Sequence, residues 1–298
     1  MYPHVPPVDQ IATLVAVDEH RSIAAAARDL GLSQQTVSAR VAAAEKTLGG
    51  VGFRRGVGGS EPTERGRTVL DAARDLLGAA GEFSRTVAAT TRPDAVRSLP
   101  VAVSNTVAEL YSPTWAARFH RENPAVRLLL RSRNSAEVCE AVAGGECVLG
   151  FVEGAEVSHG LASDVVGVDA LILVVPPPHP WAGTGVTAGQ LRRTPLITRE
   201  QGSGSREIVE AALGPLAEPA GEFGSLAAQR AAVTGMGEPT VIAARAVSAQ
   251  LASGELVAVP VTGVTFRRML RAVYPRGRPL GVGDPDAEAL LRIAKVRG

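Results

Sequence analysis

Residues 22–48 read SIAAAARDLGLSQQTVSARVAAAEKTL. Ile23, Ala26, Ala27 and Leu30 fall at i, i+3, i+4 and i+7, one helical stripe behind a Ser22 cap. Val37, Val41, Ala44 and Leu48 form a second stripe behind Ser33. Gly31-Leu32-Ser33 is a tight corner between them, with Gly31 free to take a positive φ. Two short helices joined by such a corner spell a helix-turn-helix, whose second helix offers its first turn to the DNA major groove.

Outward from this core, Val8–His20 is expected to form a preceding helix with Ile11, Leu14 and Val15 turned inward. Residues 49–61 hold six glycines around Arg54-Arg55 and predict a short β-hairpin wing. Pro62-Thr63 then opens a long helix with Thr63 as its N-cap. Its apolar residues Val69, Leu70, Ala73, Leu76, Leu77, Ala80, Phe83 and Val87 recur at three- and four-residue steps. A small domain cannot bury that whole stripe, so the helix is expected to pair with a second copy.

From residue 99 the pattern becomes strands alternating with helices. Strands are expected at 99–104, 126–131, 147–152, 171–175, 196–198, 241–243, 256–259 and 269–274, with helices at 106–121 and Ser135–Ala143. Such alternation predicts parallel sheets covered by helices, folded as two α/β lobes around a cleft. The expected division is 1–62 for a winged helix-turn-helix, 63–90 for the linker helix, 91–98 for a hinge and 99–298 for the two-lobed part.

Composition narrows the function. The 298 residues carry a formal net charge of only +1, which excludes a general polycation. Between Gly31 and Arg67, six basic residues face three acidic ones, a modest local footprint. Two cysteines argue against a disulfide scaffold and for a reducing interior. The first ten residues lack the basic and apolar regions of a secretory signal, and no apolar run is long enough to span a bilayer. A cytoplasmic protein without membrane contact is the expectation. Five scattered histidines show no ligand spacing, so neither a metal nor a cofactor is expected. No Ser/His/Asp grouping or nucleotide loop suggests an enzyme, and no catalytic residue is assigned.

Together these motifs resemble the LysR-type transcriptional regulators over nearly the whole chain. The likeness lies in Ala25-Ala26-Ala27, Leu30, Ser33-Gln34, Thr36-Val37-Ser38, Arg40, Glu45 and Leu48-Gly49, then in Phe53-Arg54-Arg55 and residues 62–66. It continues through SNTVAEL (104–110), GFVEG (150–154), LILVVPPPHPWA (171–182), REQGSGSRE (199–207) and LVAVPV (256–261). Gln35 stands where the family usually has Pro, and Gly52 where it favours a bulky apolar residue. The resemblance implies a winged helix-turn-helix, a linker helix and a periplasmic-binding-protein-like effector domain. It also implies a homodimer or homotetramer that binds double-stranded DNA and senses a small molecule.

The candidate DNA-contacting residues are Ser33, Gln34, Gln35, Thr36, Ser38 and Arg40 on the second helix, Arg54 and Arg55 on the wing, and Thr63 at the linker start. A Gln amide bridges adenine N6/N7 and a guanidinium bridges guanine O6/N7. The bland alternative is a solvated polar face, with Thr63 only a cap. Ser104-Asn105-Thr106 sits where the first strand hands over to a helix, a place suited to a small anion. Gln201 and Ser203 belong to a glycine-rich turn that can cup a ligand, and Thr198, Arg199 and Phe151 could complete the pocket. Simple capping and an ordinary glycine-rich connection are the competing accounts. Cys139 and Cys147 are expected to be buried small hydrophobes and not a redox pair. The rival function is a regulator or architectural protein that binds DNA without any ligand.

Overall fold

A computed structural model describes residues 5–50, 52–56, 59–91, 97–154, 157, 160–276 and 284–295. They fall into two compact units, one N-terminal and one C-terminal.

In the N-terminal unit α1 (Val8–His20), α2 (Ile23–Asp29) and α3 (Gln34–Thr47) pack around one core. Ile11, Leu14, Val15, Ala26, Ala27, Val37, Val41 and Ala44 fill it, with Ile23, Leu30 and Leu48 packed at its margin. The Ser22 hydroxyl accepts from the Ala25 amide, and Gly31 takes φ +64°, so the corner forms as its residues dictate. Strands β1 (Phe53–Gly56) and β2 (Gly59–Pro62) pair antiparallel as a hairpin. Helix α4 (Glu64–Thr91) starts behind Thr63, whose Oγ1 accepts from the Gly66 amide at 3.0 Å. Its first turns lock into the same core through Leu70 and Ala73, and Arg74 pairs with Asp18 of α1. Farther along, Leu76, Phe83 and Val87 are exposed, Phe83 by 72 %. The expected hinge falls largely on residues 92–96, outside the described residues.

The C-terminal unit opens with β3 (Arg97–Ser104), α5 (Asn105–Leu110), α6 (Ser112–Glu122), β4 (Val126–Arg133), α7 (Ser135–Ala143) and β5 (Leu149–Val152). Next come β6 (Leu161–Val175), β7 (Val186–Thr187), α8 (Ala188–Arg193), β8 (Ile197–Arg199), α9 (Gly204–Leu213) and β9 (Gly221–Phe223). Helix α10 (Leu226–Met236), β10 (Thr240–Ala243) and α11 (Ser248–Ser253) follow. The order ends with β11 (Val257–Val259), β12 (Val261–Thr262), β13 (Phe266–Pro275) and α12 (Pro285–Lys295).

Nine of these strands form one sheet, ordered β4-β3-β5-β13-β6-β10-β8-β9 with β11 also on β6. The sheet is mixed. β3 is parallel to β4 and β5, and β8 to β9 and β10, as the alternation predicts. The long strands β6 and β13, however, pair antiparallel with each other over ten positions, and β13 is antiparallel to β5. The sheet carries two separate cores. One gathers Leu99, Val101, Phe119, Leu149 and Leu290, the other Leu173, Leu191, Ile197, Leu226 and Ile242. They are the two lobes, with β6 and β13 running through both.

Two expected elements come out differently. The helix over 106–121 is two helices, broken at Tyr111 (φ −125°), because Pro113 at the start of α6 cannot donate into a continuing helix. The strand expected at 171–175 extends back to Leu161. Its first ten residues invert the usual alternation, with Val165 and Val168 exposed and Asp169 buried, so no apolar period marks them.

Candidate functional site

The first turn of α3 stands open. Ser33 Oγ accepts from the Thr36 amide at 3.1 Å and lies 2.8 Å from Thr36 Oγ1. Gln34 and Gln35 are exposed, while Thr36 and Ser38 are partly covered. Val37, Val41 and Ala44 fix the helix from beneath, and exposed Ala39 and Ala42 keep its outer face low. Arg40 lies at the flank, with Nη2 3.1 Å from Asp9 Oδ2 of α1, so its guanidinium is already in an ion pair. On the hairpin Arg54 is exposed; Arg55 pairs with Ser60 through its backbone, and its side chain lies outside the described residues. Glu45 Oε1 accepts from the Phe53 amide at 3.1 Å and ties the hairpin to the end of α3. A Cβ on Gly52 would collide with that carboxylate, so the small residue there leaves room for the tie.

In the C-terminal unit the first lobe contributes the turn from β3 into α5. Ser104 is buried and its hydroxyl caps α5 by accepting from the Val107 amide at 3.1 Å. Asn105 Nδ2 donates to Gly224 O at 3.1 Å and to Glu200 Oε1 at 3.4 Å, while Ser132 Oγ donates to its Oδ1 at 2.7 Å. The Thr106 and Thr198 hydroxyls are buried with no hydrogen-bond partner among the described residues. From the second lobe, Gln201 is exposed and Ser203 buried, and Gly202 (φ +82°) places its carbonyl to accept from the Ala136 amide at 3.2 Å. Asn105 and the turn after β8 thus meet across the lobes. Phe151 does not join them; it is buried in the first lobe's core, 4.9 Å from the Trp115 ring. Cys139 and Cys147 are both buried.

A buried charge cluster on the long strands has no counterpart in the sequence-based assignment. Arg268 of β13 has a side chain with 0 % exposure. Its Nη2 and Nε donate to Asp169 Oδ2 of β6 at 2.7 and 3.3 Å, and its Nη1 donates to Ser205 Oγ of α9 at 2.7 Å. Glu153 Oε1 stands 3.5 Å from Nη1. Nearby, burial and the charge of Asp169 push the Tyr111 phenol up to about 12, and Arg245 lies over its ring at 5.0 Å. The signal was period two: Phe266, Arg268 and Leu270 share one face of β13, so a strand placed from 266 puts Arg268 inside.

No described helix is long and apolar enough to cross a membrane. Comparison with known proteins supplies the family. Residues 8–67 match the bacterial regulatory helix-turn-helix protein model of the lysR family, and residues 93–295 match the LysR substrate binding domain. An uncharacterized HTH-type transcriptional regulator of Mycobacterium tuberculosis is 37% identical over 278 residues, 89% of each chain. The regulator CbbR of Xanthobacter flavus is 29% identical, over 93% of this chain and 84% of its own. Among solved structures, full-length CbnR complexed with its target DNA superposes with a TM-score of 0.54 at 21% identity, covering 97% of this chain and 99% of that one. The regulatory domain of Synechocystis CcmR, in complex with 2-PG, gives a TM-score of 0.59 at 20% identity, covering 67% of this chain and 98% of its own. With its helix-turn-helix and its two-lobed domain both matched, the chain belongs to the LysR family of DNA-binding transcriptional regulators.

Proposed function

We propose that this regulator binds promoter DNA as a homodimer or homotetramer and responds to a small anionic metabolite held between its C-terminal lobes. The observation that carries the DNA side is the open first turn of α3. Gln34 and Gln35 stand exposed on a helix whose opposite face is fixed in a core. There Gln35, Ser38 and Thr36 read base edges while Ser33, Gln34 and Arg40 steady the helix against the duplex. Arg54 and Arg55 neutralise phosphates beside it, and the α4 start at Thr63 meets a phosphate through its amides. In this scheme residues 1–62 read DNA, 63–90 pair with a second copy, 91–98 form the hinge and 99–298 sense the effector.

The exposed Leu76, Phe83 and Val87 support the pairing, since water leaves such a stripe unsatisfied. Pairing sets two recognition helices against two half-sites. On the sensing side, Asn105, Thr106, Thr198 and Gln201 offer hydrogen bonds from both lobes, with Ser104 and Ser203 behind them; Phe151, buried in the first lobe's core, takes no part. The CcmR regulatory domain, in complex with 2-PG, supports a small-molecule ligand for such a domain by analogy. Binding there favours one arrangement of the lobes and so alters the spacing or bend of bound DNA. The expected setting is the cytoplasm.

The test is gel retardation of the DNA upstream of the protein's own coding sequence, at moderate salt, with and without a panel of small anionic metabolites. A retarded complex whose mobility or affinity changes with one metabolite is expected. Absence of retardation in every condition overturns the proposal. Retardation indifferent to all metabolites, with no metabolite raising the melting temperature, supports a ligand-independent regulator instead.

A further inference from the structure

The two lobes of the C-terminal unit meet around one carboxylate that the sequence-based assignment left out, Glu200. Arg199 ends β8 with a side chain only 2 % exposed. Its Nε and Nη2 donate to Glu200 Oε2 and Oε1 at 2.8 and 2.9 Å, a bidentate pair. The same nitrogens also donate to the Phe223 and Gly224 carbonyls at 3.1 and 3.3 Å, and Nη1 is buried with no partner among the described residues. From the other lobe Asn105 Nδ2 reaches Glu200 Oε1 at 3.4 Å. Glu200 itself is 21 % exposed, so it sits at the mouth of the site while the guanidinium lies within.

Successive strand residues point to opposite faces, so neighbours rarely pair. Here the strand ends at Arg199 and the chain turns at Gly202, which lets Glu200 fold back onto its neighbour. We propose that Glu200 is an internal carboxylate occupying an anion position made by Arg199 and Asn105, and that the effector presents a carboxylate, phosphate or sulfate group that displaces it. This rests on the effector-sensing reading above and deepens it. A buried guanidinium is costly without a counter-charge, so Arg199 favours an anion at this position even with the two carbonyls in place. An incoming anion satisfies that need while Glu200 swings into water. A competitor tethered at the next residue has a high effective concentration, and the apparent affinity of any ligand falls by the fraction of time the site is open. Simple ambient anions are thereby screened out, and an effector must make further bonds to win. Because Glu200 also joins Asn105 across the lobes, its displacement changes an interlobe bond at the moment of binding.

The experiment is calorimetric titration of the full chain with sodium sulfate, ionic strength matched by sodium chloride, for the wild type and Glu200→Gln. Gln keeps the shape and removes the charge, and the Phe223 and Gly224 carbonyls still hold Arg199. Glu200→Gln is expected to lower the sulfate dissociation constant about tenfold or more. Adding Asn105→Ala is expected to take back several-fold of that gain. Equal or undetectable sulfate binding in wild type and Glu200→Gln, or a gain indifferent to Asn105→Ala, overturns the assignment. If Glu200→Gln shows no cooperative melting, Glu200→Asp replaces it: the shorter arm is expected to bind sulfate several-fold more tightly than wild type, and unchanged affinity counts against the proposal. Metabolite-sensitive retardation by the wild type without a gain in the variants sinks only the role of Glu200. Loss of that sensitivity in the wild type sinks the sensing reading itself.

Discussion

Single side chains carry different loads at the two ends of this molecule. Ser33 holds the first turn of α3 through the Thr36 amide, so Ser33→Ala is expected to cost about 1 kcal/mol of N-terminal stability. Thermal unfolding followed by circular dichroism checks it, and an unchanged transition would show the cap to be idle. Arg54 is exposed on the hairpin and serves as a phosphate contact in the proposed function. Arg54→Ala is expected to weaken binding to all sequences alike and to reduce the slope of log affinity against log salt by about one. A change of base preference with nonspecific binding intact would move Arg54 off the phosphates. Much of this scale was legible beforehand, because Ser22, Ser33 and Thr63 cap with local hydrogen bonds that sequence position alone specifies. Asn105 and Arg199 were named for the effector pocket, but Glu200 was not legible as their partner, since it meets Asn105 across 95 residues of chain.

Among the elements, the turn after β6 holds a pH-sensitive contact. His179 Nδ1 accepts from the Trp181 amide at 3.1 Å, and burial lowers the imidazole pKa despite the opposing charge of Glu238. The unfolded chain therefore binds a proton near pH 6.5 that the folded state resists. Stability from this site is present above that pH and is lost as pH falls through it toward the lowered folded value. Melting temperatures from pH 7.5 to 5 are expected to fall less steeply in His179→Gln than in the wild type; parallel curves would remove His179 from the account. The paired strands β6 and β13 carry a sharper dependence. Asp169→Ala strands the Arg268 guanidinium, whose side chain is wholly buried, and is expected to cost about 3–5 kcal/mol, read from denaturant melts. A loss below 1 kcal/mol would mean that Glu153 takes over. These strands were the least legible elements, because charge faces inward and valines face water along β6, against the rule that finds strands. By contrast α1 and α7 appear with their expected bounds, each having a continuous apolar stripe that tertiary contacts only reinforce.

At the level of the whole chain, assembly is the property most open to test. Phe83 is 72 % exposed on a 28-residue helix whose inner stripe is already used by Leu70 and Ala73. Phe83→Asp is expected to shift sedimentation velocity toward the monomer and to abolish retardation of paired half-sites; an unchanged sedimentation coefficient would place the contact elsewhere. The two-lobed plan was readable from alternation, yet its mixed sheet was not, because the return strand β13 lies near the C-terminal end, far along the chain from its partners β5 and β6. That arrangement has a mechanical corollary. β6 and β13 form one hydrogen-bonded ladder common to both lobes, and twist varies most widely in two-stranded ladders. A rearrangement of one lobe against the other is therefore expected to alter the twist of the β6–β13 ladder, where Asp169 and Ser205 hold the Arg268 guanidinium.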